Sequence, residues 1–287
     1  MIEEKESNKN SEAFMIAICG RSGTGKTSFA KLIKKILGEE NVSTVCLDDY
    51  HKYDREERKK LGITPLNPEA NKIELIEEHL ERMKNMESFS KPVYDHSQGK
   101  IIENGEVFKP KPIVVVEGLL PLYTEKMRRI FDLSIFIELD HELWLKWKLR
   151  RDEKERGYKQ EFDLEAREKD YRLHISPQKR FADIVLSLKE KAETLETKLK
   201  FSKKEHRTKG IKLPLKLFIE NSVENINKYF LKVENGKLKI KGMFPKECLY
   251  NKEIKEKINE QFIDSFLLSQ LVIIDYIREK VKYKELP

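Results

Sequence analysis

Cysteine is scarce in this chain of 287 residues. There are three, Cys19, Cys46 and Cys248, with no repeated spacing. An odd, irregular set argues against a disulfide scaffold and against a thiolate zinc site. No apolar run approaches the roughly 20 residues needed to span a bilayer, so no membrane partner is expected. The opening residues, MIEEKESNKNSEAF, are polar and acidic, without the basic and apolar regions of a secretory signal. Residues 1–13 read as a disordered polar tail, and the expected compartment is the cytoplasm. Internal repeats are also missing.

Charge is abundant. Asp, Glu, Lys and Arg make up 37% of the residues, with a net charge of +7. That balance suits anionic partners such as nucleotides, sugar phosphates, nucleic acid or acidic membranes, without choosing among them. The 39% hydrophobic content supports one large domain, or a domain plus an extension.

Strand-like and helix-like segments alternate. FMIAIC (14–19), VSTVCL (42–47), IVVV (113–116), 133–139 and 184–188 read as strands. Residues 27–37, 73–83 and 141–151 read as helices, and 100–108, with its Asn104-Gly105 pair, as a β-hairpin. This alternation implies an α/β fold with a largely parallel sheet. Residues 14–188 form the expected core. The remainder, 189–287, reads as a Lys-rich helix or connector over 189–210, then strands at 213–219 and 229–240, the latter a hairpin turning at Asn235-Gly236. Two closing helices follow, the last on FLLSQLVIIDYIREKV. It is expected to extend the sheet with added strands and helices.

GRSGTGKT, Gly20 to Thr27, fits G-x-x-x-x-G-K-[ST] and lies between a strand and a helix, where a phosphate loop must be. Its glycines let the backbone wrap around phosphates, and the helix N-terminus adds positive dipole. Gly20, Ser22, Gly23, Thr24, Gly25, Lys26, Thr27 and Ser28 are the candidate nucleotide-binding residues. Lys26 would reach the β/γ-phosphates, and Thr27 would ligate Mg²⁺. Glu117, at the end of IVVV, is the second candidate metal residue. The chain is thus expected to bind ATP or GTP in a P-loop NTPase-type sheet.

LDDYHKYDREERKK, Leu47 to Lys60, begins at the C-terminal edge of the second strand, the edge where such sheets bind ligands. Asp48 there would accept or orient a hydroxyl proton. Arg55 and Lys59 are four apart and would share a helix face, and with His51 they could hold an acceptor's phosphate. An ordinary solvated face is the alternative for Arg55 and Lys59, and the preferred reading for Arg58 and Lys60. RRDEKERG, 150–157, reads either as a lid closing arginines over the transferring group or as a charged loop. Trp144 and Trp147 read as packing.

In combination, GRSGTGKT, LDDYHKYDR, TPLNPEAN, KPVYDHSQGK, VVVEGLLPLY, WKLRRDEKERG and ISPQKRFAD resemble, in order, the phosphoribulokinase branch of the phosphoribulokinase/uridine kinase family. The resemblance covers about 14–188, and the tail looks like a shortened version of that branch. It implies ATP- and Mg²⁺-dependent phosphorylation of ribulose 5-phosphate at C1. By the same resemblance Asp48 is the base, and Asp152 a second carboxylate needed for catalysis alongside Lys26. His51, Arg55, Lys59, Tyr94, His96 and Lys148 serve the sugar phosphate. Arg151 and Arg156 serve the transferring phosphate, and Glu117 the metal. Expected partners are ATP and a sugar phosphate, with no nucleic acid, and the chain is expected to pair as a homodimer. Alternatives are a uridine-type nucleoside kinase, a kinase of another sugar phosphate, or a nucleotide- or nucleic-acid-binding protein using its basic 189–216 region. Plant members carry a regulatory cysteine pair. Cys46 matches one partner, but Thr24 stands at the other position, so no such switch is expected.

Overall fold

The computed structural model describes residues 12–155, 164–191, 194–201, 230–234, 237–241, 243–245, 256–258 and 262–283. One sheet organises most of them. Its strands are β1 (Phe14–Gly20), β2 (Val42–Cys46), β5 (Ile113–Gly118), β6 (Leu133–Leu139), β7 (Ile184–Lys191), β8 (Thr194–Phe201), β9 (Phe230–Glu234) and β10 (Lys237–Lys241). Their order is β2-β5-β1-β6-β7-β8-β10-β9. The first five in that order run parallel, and the last three add antiparallel strands at one side. β1 and β5 are buried along their whole length, which is why they read as unbroken apolar runs rather than alternating ones.

Two apolar layers cover the sheet. On one face lie α1 (Lys26–Leu37), through Phe29, Ile33 and Ile36, and α7 (Ser265–Tyr283), through Leu268, Leu271, Val272 and Ile274. On the other lie α3 (Ile73–Lys84), through Ile76, Leu80 and Met83, and Met127 of α4 (Glu125–Ile130). α2 (Arg55–Leu61), α5 (His141–Glu155) and α6 (Leu164–Asp170) gather near the C-terminal ends of the parallel strands. Ala13, read with the tail, is fully buried, and its N–H donates to Lys84 O at 2.9 Å.

Three sequence expectations are corrected here. The segment 100–108 is not a hairpin by itself: it is one strand, β4 (Lys100–Phe108), paired with β3 (Phe89–Asp95). The turn lies at residues 96–99, and the Asn104-Gly105 pair instead sits in an irregularity where the register slips. Asn104 tolerates the positive φ of 50° found there. In its described part, 189–191 and 194–201, the Lys-rich stretch is not a helix or connector; 202–210 lie outside the described residues. The described part completes β7 and forms β8, in which Thr197, Leu199 and Phe201 face inward while Lys198 and Lys200 face water. The lysines hid a period of two. The helix read as 141–151 continues to Glu155, so the start of RRDEKERG is helical. The strand read at 213–219 and Cys248 lie outside the described residues.

Candidate active site

β1, β2, β5 and β6 are parallel, so their C-terminal ends share one edge, and the predicted residues collect there. The loop from Gly20 to Lys26 joins β1 to α1. Gly23 and Gly25 hold φ of 86° and 84°, the left-handed region that glycine adopts without strain. Thr24 donates its hydroxyl to Arg21 O (2.8 Å), so its side chain braces the loop. The Lys26 ammonium, buried, donates to the same carbonyl at 3.0 Å. Thr27 and Ser28 are exposed on the first turn of α1.

The Thr27 hydroxyl donates to Glu117 Oε1 at 2.6 Å. Glu117 is 4% exposed at the end of β5. Burial raises its pKa, against the lowering effect of the Lys26 charge and the Thr27 hydrogen bond, and Asp48 adds a further push upward. Asp48 sits in a single 3-10 turn, Leu47–Tyr50, that follows β2 and projects it over the sheet edge. The two neighbouring aspartates divide the work. Asp49 accepts from Lys91 Nζ (2.6 Å) and Tyr94 N (2.9 Å), pinning the β3–β4 hairpin, while Asp48 lies within electrostatic range of Glu117 and His51.

The hairpin brings the acceptor residues together. Asn71 donates its amide to Pro65 O (3.1 Å) and Asn67 O (2.8 Å), so its Oδ1 faces His51 Nδ1 at 2.8 Å. Nδ1 therefore carries the proton, and Nε2 is the acceptor. Burial lowers the His51 pKa to about 4. In that neutral form its Nε2 can accept a hydrogen bond from a hydroxyl. Tyr94 packs edge-on to both His51 (5.1 Å) and His96 (5.0 Å). Arg55 donates to His96 O at 2.6 Å and lies against Gly99, where a Cβ would fall 2.8 Å from Arg55 Cβ. That glycine lets α2 meet the hairpin turn.

Arg55 and Lys59, four apart on α2, lie on one side of the helix, Arg55 half-buried against the hairpin turn and Lys59 exposed, as is Lys60. Arg58, preferred as a solvated cation, is instead buried. It donates to Tyr94 Oη (2.8 Å) and Tyr53 O (2.5 Å). Docking of α2 against the hairpin buries it, and there it supports the Tyr94 ring.

α5 lies over the phosphate loop. Trp144 Nε1 donates to Ser22 O (2.9 Å), Lys148 is buried against Gly23, and Arg151 donates to Ser22 Oγ (3.1 Å). Trp144 is therefore part of the loop's wall, with the Arg21 guanidinium 3.3 Å from its ring centroid and paired with Glu168 at 2.7 Å. Asp152 follows on the same helix; Arg156 lies outside the described residues.

Sequence reasoning missed Asn71, Arg58, Trp144 and Gln178. Gln178 is buried and ties Leu119 O (2.8 Å) and Leu122 N (2.9 Å) behind the Glu117 strand end. TPLNPEAN read as a loop and ISPQKRFAD only as a motif of the family resemblance, and nothing in either marked which side chain turned inward.

Comparison with known proteins fits this arrangement. The sequence profile of the Phosphoribulokinase / Uridine kinase family matches residues 15–194. The chain belongs to that family. It is 38% identical over 177 residues to the phosphoribulokinase of Synechocystis sp., covering 61% of this chain and 53% of that protein. It is 32% identical over 225 residues to the chloroplastic phosphoribulokinase of Triticum aestivum (71% and 54%). A uridine kinase of Geobacillus kaustophilus is 30% identical over 182 residues (60% and 84%). The chain spans about half the length of the curated phosphoribulokinases it matches. In fold it is similar to the solved phosphoribulokinase from Rhodobacter spheroides, with a TM-score of 0.64 at 16% identity, covering 96% of this chain and 100% of that one. Among the described residues no helix is long and apolar enough to cross a membrane.

Proposed function

We propose that this family member transfers the γ-phosphoryl group of ATP to the C1 hydroxyl of ribulose 5-phosphate, giving ribulose 1,5-bisphosphate and ADP. One observation supports the reading most. A phosphate loop and a carboxylate, Asp48, share one sheet edge, with Arg55 and Lys59 on the helix that follows. A neutral nucleoside acceptor has no use for those two cations; a sugar phosphate does.

Phosphoryl transfer passes through a loose transition state, so the protein's task is positioning and charge neutralisation. The loop amides from Gly20 to Gly25, with Lys26, Thr27 and Ser28, hold the polyphosphate. Arg55 and Lys59 hold the acceptor's phosphate, and Tyr94 and His96 wall its pocket. His51, a neutral acceptor at Nε2, orients a sugar hydroxyl. Asp48 accepts the proton of the attacking C1 hydroxyl. Lys148, Arg151 and Arg156 offset charge on the moving phosphoryl group, and Asp152 is the second carboxylate of the reaction.

Thr27 and Glu117 offer a hydroxyl and a carboxylate, hard oxygen donors suited to Mg²⁺. Thr27 and Glu117 would hold Mg²⁺ there, and the ion would supply charge neutralisation to the polyphosphate. Pairing as a homodimer and residence in the cytoplasm belong to the same reading. Cys19 and Cys46 are free thiols, as a reducing compartment allows.

The test is ADP formation from ATP on adding ribulose 5-phosphate, with the bisphosphate identified by mass. No ADP above the blank would end the proposal.

A further inference from the structure

The phosphate loop meets an aromatic pair from two different helices. A Cβ on Gly25 would lie 3.3 Å from the Phe266 ring and 3.9 Å from Trp147. The two rings are 5.5 Å apart between centroids, tilted by 56°, and each is half-buried. Gly25 immediately precedes Lys26 and Thr27. The rings therefore border the segment from which a bound polyphosphate must lead outward to its nucleoside.

We propose that Trp147 and Phe266 form the platform on which the purine of the bound nucleotide stacks, so that the C-terminal helix completes the ATP site. The proposal rests on the reading of the loop as an ATP site. Three features support it. First, Phe266 is held in place by polar contacts that leave its ring facing the loop. Asp264 Oδ1 accepts from Leu267 N (2.7 Å), Ser265 Oγ donates to Leu195 O (2.8 Å), and buried Thr197 bonds Ser265 O (3.0 Å) and Ser269 Oγ (2.7 Å). Second, Trp147 comes from the helix that already lays Trp144, Lys148 and Arg151 on the loop. Trp144 is already occupied: it is 4% exposed, with Arg21 on its ring and its N–H on Ser22. Third, aromatic rings beside a phosphate site are what a base needs, because every base has a π-face and purines offer the largest. Phe266 lies beyond residues 15–194, the span the family profile matches, so the extension would supply part of the nucleotide site.

The experiment measures binding of ADP and of inorganic tripolyphosphate to the full chain and to Trp147→Leu, Phe266→Leu and Trp147→Phe, each checked by thermal melting. Both leucine variants should weaken ADP at least about fivefold and leave tripolyphosphate within about twofold, since stacking is worth about that much per base. Trp147→Phe should recover most of the loss. The unsubstituted chain gives a second readout: ADP should quench its tryptophan fluorescence and tripolyphosphate should not. Equal losses for both ligands, unchanged ADP binding, or equal quenching would overturn the platform while leaving the ATP site standing. A chain that binds neither ligand would overturn the ATP reading and the platform with it.

Discussion

The hydroxyl of Thr27 and the carboxylate of Glu117 meet at 2.6 Å, joining the first turn of α1 to the end of β5. Two oxygen donors thus face the phosphate loop from separate elements. Glu117→Gln keeps the size and the hydrogen bond but removes the charge that favours a cation. It should raise the Mg²⁺ concentration for half-maximal activity at least tenfold with little change in melting temperature. An unchanged Mg²⁺ titration would remove the metal role.

Asp48 and Asp49 are adjacent but engaged differently. Asp48→Asn should cut kcat by about two to four orders of magnitude if Asp48 is the base. Asp49→Asn removes the charge of one of the two carboxylates paired with Lys91, the other being Glu106, and should act through stability and KM instead. A kcat loss under tenfold in Asp48→Asn, measured at saturating substrate, would assign the base elsewhere.

Arg58 and Lys60 separate by burial. Arg58→Met orphans Tyr53 O and Tyr94 Oη and should lower stability by about 2–3 kcal/mol in urea denaturation. Lys60→Ala should change it by less than about 0.5 kcal/mol. Equal effects from the two would contradict the inward orientation of Arg58.

Burial holds His51 and His79 near a pKa of about 4, below the ordinary value of 6.5. Their contribution is fully present above pH 6.5. As pH falls from there toward 4, the unfolded chain takes up protons that the folded histidines do not, and stability is lost. For His51 the full effect is on the order of 3 kcal/mol. Urea midpoints should fall from pH 7 to pH 4.5, and His51→Asn should flatten that slope. An equally steep slope in the variant would contradict the neutral, buried ring.

Cys19 pairs in register with Gly118 and Cys46 with Glu117, so β5 lies between them and their side chains leave opposite faces of the sheet. Two strand spacings put their Cα atoms roughly 9–10 Å apart, beyond disulfide reach. Burial also pushes the Cys19 thiol up to about 12. Oxidation should therefore leave no Cys19–Cys46 bond on peptide mapping; finding one, with reversible loss of activity, would contradict this.

The parallel core was legible because it is buried on both faces: runs such as IVVV leave no other reading. The phosphate loop was legible because its chemistry fixes residue types at fixed spacing. β8 was not, because its outward lysines masked the inward Thr197, Leu199 and Phe201. Arg58 was misread because composition does not say which face of a seven-residue helix turns inward; only docking against Tyr94 decides that. Asn71 was invisible for a related reason, since its role is to set the His51 tautomer across 20 residues of chain.

The most direct test of the central claim is kcat/KM, with ATP, for ribulose 5-phosphate against uridine, each repeated with Arg55→Ala. The account predicts a preference for ribulose 5-phosphate of at least about a thousandfold, largely lost in Arg55→Ala through KM. Turnover of uridine equal to or better than that of ribulose 5-phosphate would contradict it.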